Sequence, residues 1–255
     1  MTSQEYNVEV KQDFIERQAK APPIPALSEL IWNSLDADAT QISVELEYDG
    51  IGGLSKIHVK DNGHGMSRDE APELFRNLGG SWKHRSMHTK RLQRMLHGKE
   101  GRGRFKAFAL GGAVDWKVVY ERNGTPSTYE IAILEREISR VRISDEEELP
   151  GAPPGVIVTL SELKRQFTSL APESAVQELS EIFAIYLKNY RDVVIDYSGE
   201  RIDPALAIRE EWTFDLNPYI DDDGNEIPVS LEIIEWRRST KRALYLCNEQ
   251  GFPLS

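Results

Sequence analysis

The chain has 255 residues, enough for one large domain or two modest ones with cores of their own. An apolar content of 40% and a charged content of 29% are those of a soluble globular chain, and no run approaches the roughly 20 apolar residues of a membrane span. A net charge of −11 argues against a surface that binds nucleic acid throughout, although it leaves room for a local basic site.

Residues 1–22 read as a short arm. The polar start Met1-Thr2-Ser3 lacks a signal peptide's apolar stretch, and Tyr6, Val8 and Val10 alternate before a helical turn over 13–20. With a single cysteine, Cys247, the chain fits a reducing compartment, and the expected location is the cytoplasm. Pro22, Pro23 and Pro25 then fix the entry to a helix, because first-turn amides lack helical partners and proline is tolerated there. Along Glu29-Leu30-Ile31-Trp32-Asn33-Ser34-Leu35-Asp36-Ala37, residues Glu29, Asn33 and Asp36 stand at i, i+4 and i+7, within a sector of about 60°. Leu27, Leu30, Ile31, Ser34 and Leu35 take the opposite side. Packing does not require a carboxylate, an amide and a second carboxylate in a row, whereas a bound metal and its substrate would.

Ile42, Val44, Leu46 and Tyr48 alternate with Ser43, Glu45 and Glu47, a half-exposed strand, and Asp49-Gly50-Ile51-Gly52-Gly53 is a turn. In the next strand Ile57, Val59 and Asp61 share one parity, so the Asp61 carboxylate points to the face its strand buries. Burying it without a donor is costly. An adenine amino group would supply one; a turn-capping role before Asn62-Gly63 is the alternative. Gly63 and Gly65 let the chain pass close to a base, and Met66 closes the segment.

Residues 69–78 form a short helix that Gly79-Gly80-Ser81 breaks. Between Arg76 and Lys106 stand ten Lys or Arg against one acid, Glu100. A solvated face is the bland explanation of such a run. Because it ends in Gly98-Lys99-Glu100-Gly101-Arg102-Gly103-Arg104-Phe105-Lys106, a lid facing polyphosphate explains it better. Glycines ahead of the helical start at 105–110 leave backbone amides free for phosphate oxygens.

Strands follow at 115–122, 128–135 and 156–160, the first two joined by an Asn123-Gly124 turn. The stretch 168–189 reads as a loop and then a helix that packs against a new sheet. That sheet begins with the alternating Val193, Ile195 and Tyr197, and after a less readable stretch it continues with strands at 229–236 and 242–247. The chain stops soon after this hairpin, at Phe252-Pro253-Leu254-Ser255, and reads as a fragment of a longer protein.

The Glu29-x-x-x-Asn33-x-x-Asp36-Ala37 box, the Asp61-x-Gly63-x-Gly65-Met66 box and the glycine-rich 98–106 segment, in that order, resemble the GHKL superfamily of gyrase-type topoisomerases, ninety-kilodalton heat-shock chaperones, histidine kinases and MutL mismatch-repair proteins. The run Asp36-Ala37-Asp38-Ala39-Thr40 is closest to the microrchidia (MORC) and MutL branches. The resemblance implies an α+β Bergerat-type sandwich over 23–165, with helices on one face of a mixed, largely antiparallel sheet. A smaller, incomplete, transducer-like α+β domain over 166–255 would follow. It implies ATP and Mg2+ as ligands. Glu29 would be the general base, Asn33 the magnesium ligand and Asp61 the acceptor of the adenine amine, with Asp36 holding the surrounding water network or the helix itself.

Gly63, Gly65 and Met66 would line the base, and Gly98, Gly101, Arg102, Gly103, Arg104, Phe105 and Lys106 the phosphates, although Arg104 and Lys106 read equally as exposed residues. Lys241 matches a second-domain lysine that reaches the γ-phosphate, or is a solvated hairpin tip. The family usually carries Gly-Thr where this chain has Gly155-Val156, the threonine helping to fix the adenine-binding aspartate; Thr159 has the wrong parity to replace it. His84 and His88 stand at i, i+4 but lack a third metal ligand at suitable spacing.

The function expected is Mg-dependent ATP hydrolysis that closes a lid and drives dimerisation within a larger machine. The alternative is a non-hydrolysing ATP-binding switch. A histidine kinase fits less well, because it needs a phosphoacceptor histidine helix, usually upstream, and the first histidine here is His58. No membrane partner is expected, and a nucleic-acid or protein client stays open.

Overall fold

The computed structural model describes residues 21–76, 88–97, 103–138 and 140–237, with 76, 103 and 104 described by backbone alone. Helix α1 (Pro23–Asp36) starts after Pro22 with proline in its first turn, and its stripe of Ile24, Leu27, Leu30, Ile31 and Leu35 is buried. Strands β1 (Gln41–Tyr48) and β2 (Leu54–Asp61), helix α2 (Ala71–Arg76) and a 3-10 turn (Gly103–Ala109) come next. They are followed by β3 (Gly111–Arg122), β4 (Thr125–Leu134), β5 (Arg142–Ile143), β6 (Glu147–Glu148), β7 (Gly155–Leu163), α3 (Pro172–Asn189), β8 (Val194–Tyr197), β9 (Glu200–Arg201), α4 (Pro204–Ala207), β10 (Ile208–Ile220) and β11 (Glu226–Trp236).

Nine strands make one sheet in the order β5-β4-β3-β7-β2-β1-β8-β9, with β6 also on β4. Only the β1–β8 pair is parallel. The period of two decides what each face carries. The cross-strand row Val44, Val59, Val158, Trp116 and Ile131 is buried throughout, whereas the adjacent row Ser43, Lys60, Ile157, Lys117 and Glu130 lies on the opposite, open face. The fold is therefore the α+β sandwich with a mixed, largely antiparallel sheet that the boxes imply.

Three elements differ from the sequence reading. The alternating Val193–Tyr197 segment adds to the first sheet as β8 and starts no new one: Val194 N donates to Thr40 O at 2.8 Å and Ser198 N to Val44 O at 2.8 Å, filling the free edge of β1. Alternation shows that a segment is a strand but not which edge it joins. The start after the glycine-rich box is a 3-10 turn and not an α-helix. The less readable stretch before 229 is the long strand β10, paired with β11. Its register slips between Leu216 and Tyr219, where Pro218 has no amide to give the ladder. The strand expected at 242–247 lies outside the described residues.

The chain divides into two compact units. The first, Met1–Ala175 with Asp192–Arg201, contains the whole nine-stranded sheet. The second comprises Val176–Arg191 and Ile202–Ser255. In it the β10–β11 ribbon is amphipathic, with the pairs Trp212–Ile233, Phe214–Leu231 and Leu216–Val229 on one side and Thr213–Glu232 and Asp215–Ser230 on the other. Lys188 of α3 forms ion pairs with Glu211, at 2.8 Å, and with Glu232. No helix among the described residues is long and apolar enough to cross a membrane.

Candidate functional site

The site is built on α1 and the end of β2. Asp61 closes β2 on the buried parity, as alternation requires, and its carboxylate is satisfied from three directions. Oδ2 accepts from Ser34 Oγ at 2.8 Å; Oδ1 accepts from Gly63 N at 2.8 Å and Val156 N at 3.3 Å. Burial pushes its pKa up, and these hydrogen bonds oppose the shift only in part. Oδ2 keeps one lone-pair site beyond the serine, which suits an amino donor.

Helical spacing alone does not single out Ser34. It lies on the apolar side of α1, where a hydroxyl must find a partner in the sheet, and Asp61 is that partner. Val156 contributes only its backbone amide to Asp61, and Thr159 bonds His58 Nδ1 at 3.1 Å on the other face. Spacing does not single out Asn62 either. Its Oδ1 accepts from Thr40 N at 2.8 Å and Gln41 N at 2.9 Å, so one side chain ties the end of the first box to the second.

The glycines of the second box answer to backbone packing. A Cβ on Gly63 would stand 2.7 Å from Ala37 O. Gly65 has φ +66°, and its Cβ would stand 2.4 Å from Val119 O. Tyr129 Oη donates to Met66 O at 3.2 Å and Ser67 O at 3.4 Å, fixing the segment from below. Between the glycines, His64 has Nδ1 2.5 Å from Gly65 O, and burial pulls its pKa down. Its Nε2 is buried without a partner among the described residues.

Past α1, Asp38 adopts φ +64° and its carboxylate accepts from Arg91 N at 2.7 Å and Leu92 N at 3.1 Å. Asp36 accepts from His97 N at 2.8 Å, and the His97 ring stacks on Trp32 with centroids 4.1 Å apart. Arg94, only 3% exposed, donates to Ala39 O at 2.7 Å and to Asp192 at 3.0 Å. Residues 88–97 are thus anchored to α1 and the loop after it, and Arg94 serves that anchorage. This differs from a segment whose cations all face polyphosphate, and Lys90 likewise pairs with Glu70 at 3.3 Å.

The 3-10 turn is pinned by Phe105, Ala107, Phe108 and Leu110, all buried, and carries Lys106 to α1, where its Nζ pairs with the Glu29 carboxylate. Both side chains stay partly open to solvent. Asn33, on the same face, has no side-chain hydrogen bond among the described residues, so its carboxamide oxygen is available to a hard cation. Gly98, Gly101, Arg102, Lys241 and His84 lie outside the described residues, and Gly103 and Arg104 are described by backbone alone. The described residues contain no cluster of three or more His, Cys, Asp or Glu able to hold a metal.

Residues 22–149, just over half of the chain, match the family of histidine kinase-, DNA gyrase B- and HSP90-like ATPases. Short stretches are similar to DNA mismatch repair proteins MutL. With that of Pelobacter propionicus the identity is 55% over 49 residues, 19% of this chain and 8% of that protein. With that of Thermosipho melanesiensis it is 51% over 53 residues, 21% of this chain and 9% of that protein. The matched stretch therefore spans less than a tenth of either relative.

Proposed function

Because this chain belongs to the histidine kinase-, DNA gyrase B- and HSP90-like (GHKL) ATPase family, with MutL-like proteins among its relatives, we propose that it binds ATP between α1 and the end of β2 and hydrolyses it to ADP and phosphate. One observation carries this reading: the buried Asp61 carboxylate, held by Ser34, Gly63 and Val156, retains an acceptor site. Asp61 takes the adenine amino group there, and Gly63, Gly65 and Met66 shape the passage for the base. Glu29 orients the attacking water and accepts its proton. Asn33 holds a magnesium ion through its carboxamide oxygen; that ion, when bound, neutralises charge on the transferring phosphoryl group. Asp36 holds the loop that returns to α1 at His97.

The amides of Gly98, Gly101 and Gly103, with Arg102, Arg104, Phe105 and Lys106, form the phosphate side. Nucleotide closes the basic segment as a lid, and the arm 1–22 joins two copies. The cycle thereby drives a larger assembly in the cytoplasm.

ATP turnover and oligomeric state, each with and without Mg-ATP, test this in wild type and Glu29→Ala. Turnover should fall by about 100-fold or more in the variant, the scale of a lost general base. Unchanged turnover would remove Glu29 from the role, and tight binding without turnover in either protein would establish the non-hydrolysing switch.

A further inference from the structure

Lys106 and Glu29 come from the two segments to which the nucleotide reading assigns opposite tasks, the phosphate side and the water side, and yet they are bonded to each other. A carboxylate oxygen that already accepts from an ammonium does not offer that lone pair to a water. An ammonium bonded to a carboxylate meets a phosphate oxygen with one of its three donors spent and its charge partly neutralised. The backbone around Lys106 is fixed by the buried Phe105, Ala107, Phe108 and Leu110, whereas its own side chain is a flexible, partly solvated stem of four methylenes. Glu29 likewise sits on a helix whose neighbours Ser28, Leu30 and Ile31 are buried. Either partner can therefore change its contact without disturbing the elements that carry it.

We propose that Lys106 is a positioning residue that latches Glu29 in the nucleotide-free protein and is drawn off it by the phosphate chain of the bound nucleotide, so that phosphate occupancy releases the base. The inference rests on the nucleotide reading above. A polyphosphate presents several anionic oxygens and outcompetes a single carboxylate for one ammonium. The exchange moves no covalent bond, and it makes breaking the Lys106–Glu29 pair part of the cost of binding phosphate. Removing the Glu29 charge then has an unusual consequence: loss of the base tightens nucleotide binding, and does so through Lys106.

The test is a double-mutant cycle on binding, with Glu29→Gln, Lys106→Met and the double variant titrated with a non-hydrolysable ATP analogue and with adenosine. Glu29→Gln should tighten the ATP analogue about two- to fivefold, the worth of a partly exposed ion pair, and leave adenosine unchanged. In the Lys106→Met background the same substitution should change neither ligand, and Lys106→Arg should restore the tightening. Equal tightening in both backgrounds would mean that Glu29 merely repels phosphate directly, and no tightening in either would mean that the pair is not broken on binding; both overturn the latch. Turnover of Glu29→Gln is read separately. If it equals that of wild type, the assignment of the base fails, whatever the binding cycle shows.

Discussion

Ser34 on α1 and Asp61 on β2 satisfy each other across the buried face of the sheet at 2.8 Å, and each is the polar exception in an otherwise apolar pattern. Ser34→Ala would leave Asp61 Oδ2 without its protein donor. The expected loss is about 1–3 kcal/mol, seen as a fall of roughly 2–8 °C in the melting midpoint. Affinity for adenosine should fall with it, because an unfixed carboxylate presents its free lone pair less well. A midpoint equal to wild type would show that water replaces the serine at no cost.

Asp61 also links stability to pH. Its pKa is raised in the fold, so folding favours the protonated carboxyl. The contribution is complete below the unfolded value and is lost as pH climbs through the raised one. Asp61→Asn is neutral throughout. Denaturant midpoints measured from about pH 4 to pH 7 should show the wild type losing ground to Asp61→Asn as pH rises, and a constant difference would contradict the shift. The same variant should bind ATP about 10- to 100-fold more weakly, because a carboxamide that turns its NH2 to the adenine amine leaves that donor without an acceptor.

Arg94 is one tie of the 88–97 segment, beside Asp36 and Asp38. Arg94→Met keeps the stem but leaves Ala39 O without its donor and Asp192 without its cation. Removing one buried partner costs about 1–3 kcal/mol, so amide exchange over 88–97 should quicken by roughly tenfold or more, with little change in the β3–β4 hairpin. Unchanged exchange would mean that Asp36 and Asp38 hold the segment alone.

Gly65 tolerates no side chain in its present conformation. Gly65→Ala combines a left-handed φ of +66° with a Cβ 2.4 Å from Val119 O. A loss of about 1–3 kcal/mol is expected, or failure to accumulate as folded protein. Gly124→Ala has nothing within 4 Å of the new Cβ and serves as the control for φ alone.

Periodicity made much of this legible. The two faces of α1, the parity of Asp61 and the alternation of β1 follow from spacing alone, and the three boxes in order identify the superfamily. What spacing does not carry is partnership. Nothing in Val193, Ile195 and Tyr197 says that β8 runs parallel to β1, because that choice is made by a free edge some 150 residues earlier in the chain. Pro218 interrupts the ladder of β10, and Arg94, by sequence one more cation of a basic run, owes its structural role to a burial that spacing does not carry. Asp61 stands out by its parity, whereas Ser34, placed among the apolar residues of α1, does not. The rule that buried polar groups find one another is what pairs them.

The parallel seam between β1 and β8 bears on how the protein can be divided for expression. A chain ended anywhere between β7 and Asp192 keeps all three boxes but strips β1 of its neighbour, exposing amides and carbonyls along Thr40–Val44. A bare edge of this kind invites pairing with other molecules. Such a truncation should be judged by its tendency to aggregate before its loss of activity is blamed on the missing second unit.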